Sequence, residues 1–249
     1  MLALATPSPS PSPTTSSVDS SADLTLISPI RTYSIAGAYT AATYGRRNLR
    51  GAVVIPRIAS FHVGHYLMRV TLPRIQTING IDSAYGDLQL FYLLGNRLNS
   101  GRFYAGLFAQ LPTGTGPVTT QKWLLGPAVA YIASFKPQAR TVGVLLQSAF
   151  SVAGPRSAAN QSAISFLPFA NIQLRHGWFI KTPESPWLFD LQTGSTLVPV
   201  GIGFGRRGKL DAVPYLVALT DEVALIHANA PNAPKNIVRV TITFVLPPR

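Results

Sequence analysis

The sequence predicts an all-β protein, an antiparallel up-and-down transmembrane β-barrel of about twelve strands. Three observations carry that expectation. The 249-residue chain is 47% apolar but only 12% charged, about half the usual charged share of roughly 25%. It holds no run of about 18 apolar residues, the length a membrane-crossing helix needs. From Ser21 onward it falls into segments of about 10–13 residues, separated by Gly, Pro and polar residues, and several of them alternate in character. An apolar chain without a spanning helix can cross a membrane only as a closed sheet, whose strands need about 9–11 residues each.

Composition removes other classes. Glu occurs only at Glu184 and Glu222, which is incompatible with a coiled coil or long helical bundle. The chain has no Cys, so a disulfide scaffold, a zinc ribbon, a thioredoxin-type motif and a cysteine nucleophile are all excluded. It is too apolar to be disordered as a whole.

Residues 1–21 carry a Pro-Ser repeat that can continue neither a helix nor a sheet ladder. They read as a disordered segment ahead of a barrel domain at 22–249. No Lys or Arg precedes Arg31, and the apolar start at Leu2 to Ala5 is short, so a secretory signal is not evident in this chain.

Strands are expected near 32–43, 50–60, 64–74, 84–95, 102–112, 121–134, 140–152, 162–174, 177–191, 195–206, 211–222 and 235–246. An even count suits a bacterial barrel. The last segment alternates most clearly, with Val238, Val240, Ile242 and Phe244 on one face and Arg239, Thr241 and Thr243 on the other. At 196–205 the face opposite Val198, Val200, Ile202 and Phe204 is Gly201, Gly203 and Gly205, read as room in a narrow lumen or close packing.

Alternation alone does not say which face meets water. In a sandwich the apolar face is internal; in a membrane barrel it is external. The polar faces here are Gly, Thr, Ser and Gln rather than the Lys and Glu of a soluble surface. Aromatics also gather near strand ends, including Tyr85, Phe103, Trp123, Trp178 and Trp187, as membrane-interface girdles do. The expected lumen lining is Arg69, Thr71, Asp87, Gln89, Gln110, Gln147, Asn171, Gln173, Arg239, Thr241 and Thr243. Inward Arg69 and Arg239 would bias that lumen toward anions. Pairing of Arg69 with Asp87 on the adjacent strand is as good a reading as solute contact.

The formal charge of +12 reads as cationic rims beside anionic head groups, at Arg46, Arg47 and Arg50, at Arg206, Arg207 and Lys209, and at Lys122. A nucleic-acid partner is not expected. His62 and His65 are three apart, which puts them on opposite faces of a strand, so no metal site is expected. No G-x-S-x-G occurs, the alternating glycines lie within a strand rather than before a helix, and no carboxylates are paired. The expectation is a non-enzyme without a cofactor.

Ordered short motifs carry a family resemblance: Ala22-Asp23-Leu24 with Leu26-Ile27-Ser28; Arg69 to Ile75; Tyr85-Gly86-Asp87-Leu88-Gln89; Leu111-Pro112-Thr113-Gly114; Lys122-Trp123 with Leu125-Gly126-Pro127; Gly177-Trp178-Phe179; and Val198-Pro199-Val200-Gly201-Ile202-Gly203. In order and spacing they resemble a family of bacterial outer-membrane β-barrel transporters, often labelled neuromedin U or MetA-pathway phenol-degradation-like proteins. The chain departs from that family at Pro183 and Pro186, in its high positive charge and in its last residues, Pro247-Pro248-Arg249. The resemblance implies a bacterial outer-membrane location, with outer-membrane lipids and the barrel-assembly machinery as partners. It also implies porin-like passage of small solutes; neither the solute nor the oligomer follows from it. The alternative from another class is a soluble jelly-roll, capsid-like structural subunit.

Overall fold

The computed structural model describes residues 32–44, 47–63, 66–71, 74–77, 83–98, 101–115, 119–135, 140–183, 185–211, 213–229 and 234–246. The Pro/Ser-rich segment 1–21 and the opening motif at 22–28 lie outside them. Among the described residues fifteen strands form one sheet: β1 (Thr32–Tyr44), β2 (Arg47–Val63), β3 (Tyr66–Thr71), β4 (Arg74–Thr77), β5 (Ser83–Tyr85), β6 (Leu88–Leu98), β7 (Gly101–Leu111), β8 (Trp123–Phe135), β9 (Arg140–Ala153), β10 (Ser162–Gln173), β11 (Trp178–Lys181), β12 (Trp187–Asp190), β13 (Thr196–Leu210), β14 (Val213–Ala228) and β15 (Asn236–Leu246).

Every pairing is antiparallel, and β1 pairs with both β15 and β2, which closes the sheet into a ring. Three staves of that ring are broken. β3 and β4 share the partner β2; β5 and β6 pair with β4 and β3; β11 and β12 both lie between β10 and β13. The fifteen strands therefore make twelve staves of an up-and-down barrel. A jelly roll would need Greek-key crossovers; among the described residues each stave pairs with its sequence neighbours.

The staves follow the segments expected from the alternation, with instructive differences. The segment expected at 195–206 runs to Leu210 and that at 211–222 runs to Ala228. The charged run Arg206-Arg207-Gly208-Lys209 looks like a turn but continues the ladder, with Gly208 opposite Tyr215 and Lys209 opposite Pro214. The reversal falls instead at Asp211, which adopts φ 53°, a conformation Asp tolerates better than most residues.

The two faces are inverted relative to a soluble protein. Large apolar side chains stand exposed on the outside, among them Leu94, Leu107, Leu219, Val240 and Ile202, the last 63% exposed. Asp221 is an exception, with its carboxylate accepting from Asn236 Nδ2 at 3.2 Å. The inner face carries the buried residues, including Thr71, Thr141, Ser165, Asn171, Thr241 and Thr243. On β6 to β10 that inner face also carries an apolar cluster of Phe91, Leu93, Tyr104, Phe108, Ile132, Leu145 and Leu167.

Glycines let aromatic rings lie flat against this wall. A Cβ at Gly95 would overlap the ring of Tyr104, its direct cross-strand neighbour, and one at Gly205 would overlap Phe179 in the same way. Each ring covers a backbone that lacks a side chain of its own, an arrangement that helps fix register in curved sheets.

The two rims differ. The connections after β2, β6, β8, β10 and β13 span at most four residues, and this rim also receives both ends of the strand run. On the opposite rim the β1–β2 connection is two residues, and the others run from five residues to eleven, the longest at 112–122.

Candidate functional site

The site begins with a local failure of strand pairing. Lys181 sits opposite Asn171 and Trp187 opposite Phe166, so residues 182–186 face only 167–170 and the broken stave must bulge. Pro183 and Pro186 have no N–H to give to a ladder. Thr182 supplies the replacement bonds: its N–H donates to the Ala170 carbonyl at 2.9 Å, and its Oγ1 accepts from Ala170 N–H at 2.9 Å.

The bulge leans inward. Ser185 Oγ accepts from Arg239 Nη2 at 3.4 Å, although β13 and β14 separate their staves. The glycine face of β13 makes room for this. Gly201, Gly203 and Gly205 place no side chains on the inner wall, and a Cβ at Gly203 would meet Lys181 Cγ at 3.1 Å.

Beyond the bulge, Arg239 Nη1 lies 3.3 Å from Glu222 Oε1. Glu222 is only 1% exposed. Its oxygens accept no hydrogen bond among the described residues, because the Arg239 contact lacks hydrogen-bond geometry. A buried carboxylate in that condition is costly unless some donor reaches it. Glu222 also borders a cavity of about 140 Å³ between the bulge and the β14–β15 end of the wall, walled mainly by Pro186, Leu188, Leu197 and Ile237.

The residues expected to line a lumen fall as follows. Arg69 and Thr71 share the inner face of β3, and the Arg69 guanidinium lies 4.3 Å from the centroid of Phe91, a cation–π contact. Gln89 and Gln110 are opposite one another, with Nε2 donating to Oε1 at 3.5 Å. Gln147 faces Ser165, Asn171 faces Thr141, and Gln173 faces Phe179. Arg239, Thr241 and Thr243 sit opposite Thr220, Ala218 and Leu216.

Asp87 takes a different role. It lies between β5 and β6 at the long-loop rim and accepts from Gly114 N–H at 2.9 Å, Thr119 Oγ1 at 2.7 Å, Thr120 N–H at 2.8 Å, Thr120 Oγ1 at 2.7 Å and Gln110 Nε2 at 3.1 Å. It is thus the anchor of the 112–122 loop. Burial pushes its carboxyl up, but the bonds from Thr120, Thr119 and Gly114 together hold it below the ordinary aspartate value. The pairing with Arg69 is absent, because the register sets Arg69 opposite Phe91, four residues along the stave.

Lys122, expected on an exposed rim, is buried within the same loop. Arg206 stands outside with its guanidinium 5.5 Å from the Trp178 ring, which stacks on Phe204 at 4.7 Å. Trp178 and Phe103 are exposed near the short-turn rim, and Tyr85 and Trp123 near the other. Trp187 is half-buried on the outer face opposite Phe166, and its Nε1 donates to the Pro199 carbonyl at 3.1 Å.

Sequence reasoning passed over Glu222, Lys181 and Thr220, which are all buried on the inner face. A signal existed for the first: Glu222 is one of two glutamates, on the same strand parity as Thr220 and Ala218. Among the described residues no cluster of His, Asp and Glu is arranged to hold a metal. His65 lies outside the described residues.

No protein-family model matches the sequence, and no curated protein matches it. The fold is shared with solved structures. The crystal structure of an outer membrane channel from Pseudomonas putida F1 aligns over 87% of this chain and 95% of its own, with TM-score 0.57 at 14% identity. The NanC porin aligns over 86% of this chain and 100% of its own, with TM-score 0.57 at 9% identity. At these identities the likeness is one of fold.

Proposed function

We propose that this chain is a bacterial outer-membrane barrel that binds small solutes and lets them pass through its polar inner wall, without chemical conversion. The observation that carries the reading is the outward exposure of apolar side chains around a closed twelve-stave ring. In water that surface would associate; against hydrocarbon it is favourable, and closure leaves no unpaired strand edge. The rims agree with the assignment, since outer-membrane barrels have short periplasmic turns and long extracellular loops. The 112–122 loop therefore lies toward the cell exterior.

The ordered motifs place the chain, in this reading, with the transporter family labelled neuromedin U or MetA-pathway phenol-degradation-like. Outer-membrane lipids and the barrel-assembly machinery are its partners. Both solved structures of shared fold are named as an outer membrane channel or a porin. Solute would move along the polar strip of Lys181, Thr220, Arg239, Thr241 and Thr243, narrowed by the bulge. Protein reconstituted in planar bilayers should give discrete conductance steps and should speed uptake of small solutes into liposomes. Absence of both leaves a structural barrel and removes the passage reading.

A further inference from the structure

The two rims differ in charge as well as in length. From β9 to β14 the short-turn rim carries Arg140, Arg175, Arg206, Arg207 and Lys209 and, among the described residues, a single acid, Asp211. None of these five cations forms an ion pair among the described residues. The long-loop rim instead sets Asp87 and Asp190 among its bases. Arg206 is exposed on the outward parity of Phe204. It sits opposite Trp178 in the ladder, with its guanidinium 5.5 Å from the centroid of that ring, and the indole stacks on Phe204 at 4.7 Å and 16°. Tyr215 covers Gly208 on the next outward row, and Phe244 lies opposite Tyr215. The Arg175–Gly177 turn packs against the same strand, since a Cβ at Gly177 would lie 2.9 Å from the Arg207 carbonyl oxygen.

We infer that this outward corner of the short-turn rim binds the head group of an anionic glycerophospholipid from the periplasmic leaflet. An arginine on the lipid-facing wall with no counter-charge is costly unless an anion reaches it. The planar guanidinium of Arg206 donates to two phosphodiester oxygens at once, as that fork does to phosphates in general. Trp178 and Phe204 lie against the glycerol backbone and the first methylenes, the depth that interfacial aromatics prefer. Charge decides between lipids. A zwitterionic head group carries an ammonium, which Arg175, Arg207 and Lys209 repel. An anionic head group has none and is attracted by each of them. An acidic protein in the periplasm would leave the outward rings without a use.

The inference rests on the membrane placement of the ring and not on solute passage. The test uses the full chain in dioleoyl phosphatidylcholine vesicles, with folding checked by heat-modifiable gel mobility. Tryptophan occurs only at Trp123, Trp178 and Trp187. Trp123→Phe with Trp187→Phe therefore leaves Trp178 as the reporter, and Trp178→Phe with Trp187→Phe leaves Trp123 at the opposite rim. Chain-brominated phosphatidylglycerol or phosphatidylcholine is titrated in, and quenching gives the relative binding constant of each lipid. At Trp178 the anionic lipid should bind about fivefold more tightly than the zwitterionic one, the effect of one arginine at an anionic surface. The preference should shrink as salt is raised. At Trp123 the two lipids should bind within about twofold of each other. Arg206→Gln should bring Trp178 to the same near-parity, and Arg206→Lys should keep part of the preference.

Equal affinity of the two lipids at Trp178 would overturn the inference. So would an equal preference at both reporters, which would assign the effect to the net charge of +12, and so would an unchanged preference in Arg206→Gln. If the single-tryptophan proteins fail to fold, native mass spectrometry compares the unaltered protein with Arg206→Gln, released from micelles holding both lipids in equal amount. The unaltered protein should retain more phosphatidylglycerol than phosphatidylcholine, and the variant should not; the same retention in both proteins would overturn the inference. Folded protein that fails to float with vesicles would sink the membrane reading itself. Flotation without a lipid preference at Trp178 would sink this inference alone.

Discussion

Among the described side chains, the inner wall has two stretches built on different principles. From β6 to β10 it holds an interlocked apolar cluster beside Gln89, Gln110, Thr141, Gln147, Ser165 and Asn171: Leu93 and Tyr104 are each 1% exposed, and Phe91 meets Phe108 at 4.9 Å between ring centroids. From β11 to β15 it carries glycines, threonines, Lys181 and the Glu222–Arg239 pair. The first stretch resembles a core turned toward the axis. The second leaves space, and that space admits the bulge at 182–186. A barrel of this size can thus be packed along one stretch and polar along another, so solute would run along one wall rather than through the centre of an even pore.

The largest effects should come from breaking each stretch by its own mechanism. Phe108→Ala in the apolar stretch should cost about 3–5 kcal/mol, seen as a lower denaturant midpoint for loss of heat-modifiable mobility, and the cost should be insensitive to salt. Arg239→Ala in the polar stretch should cost about the same 3–5 kcal/mol, because it strands Glu222 as an uncompensated buried charge. Here a second substitution, Glu222→Gln, should recover much of the loss. No such rescue is expected for Phe108→Ala, and finding one would erase the distinction between the stretches.

A smaller effect tests the glycine face. Gly205→Val would drive a side chain into the Phe179 ring and should cost about 1–3 kcal/mol through overpacking. The same measurement at the exposed outer position Ile202→Val should move stability by less than about 1 kcal/mol.

The smallest effect concerns the loop at the rim of the apolar stretch, between β7 and β8. Asp87 has its carboxyl pKa lowered in the folded state, so its contribution is present at neutral pH and is lost as pH falls through the ordinary aspartate range and below it. Limited proteolysis of the 112–122 loop should therefore accelerate in acid, under a protease active there. Asp87→Asn should be cleaved faster than the unaltered protein at neutral pH and should show little further change in acid.

Much of this was legible in the sequence. The strict period of two in Val238 to Phe244 assigned β15 and both of its faces, because each face has its own chemistry. The packed stretch was less legible for the converse reason. In Leu88 to Leu94 the parity of Asp87 and Gln89 separated an inward Phe91 and Leu93 from an outward Leu90 and Tyr92, but with apolar residues on both faces nothing showed that the inner one packs as a core. Asp87 read as lumen lining because its parity is inward; its loop partners come from residues 25 or more positions away, which local pattern does not reach. The inward bulge was foreshadowed only by Pro183 and Pro186. The Gly201-Gly203-Gly205 face predicted room without saying what would occupy it.

Which face of the ring meets hydrocarbon decides between a membrane barrel and a soluble one. The chain contains no cysteine, so single cysteines introduced from Val238 to Phe244 can each carry a nitroxide label without background. In reconstituted membranes, oxygen accessibility should peak at Val238, Val240, Ile242 and Phe244 and fall at Arg239, Thr241 and Thr243. Peaks at those same even positions for a water-soluble nickel chelate instead of oxygen, or no alternation at all, would contradict a barrel with its apolar face in the membrane.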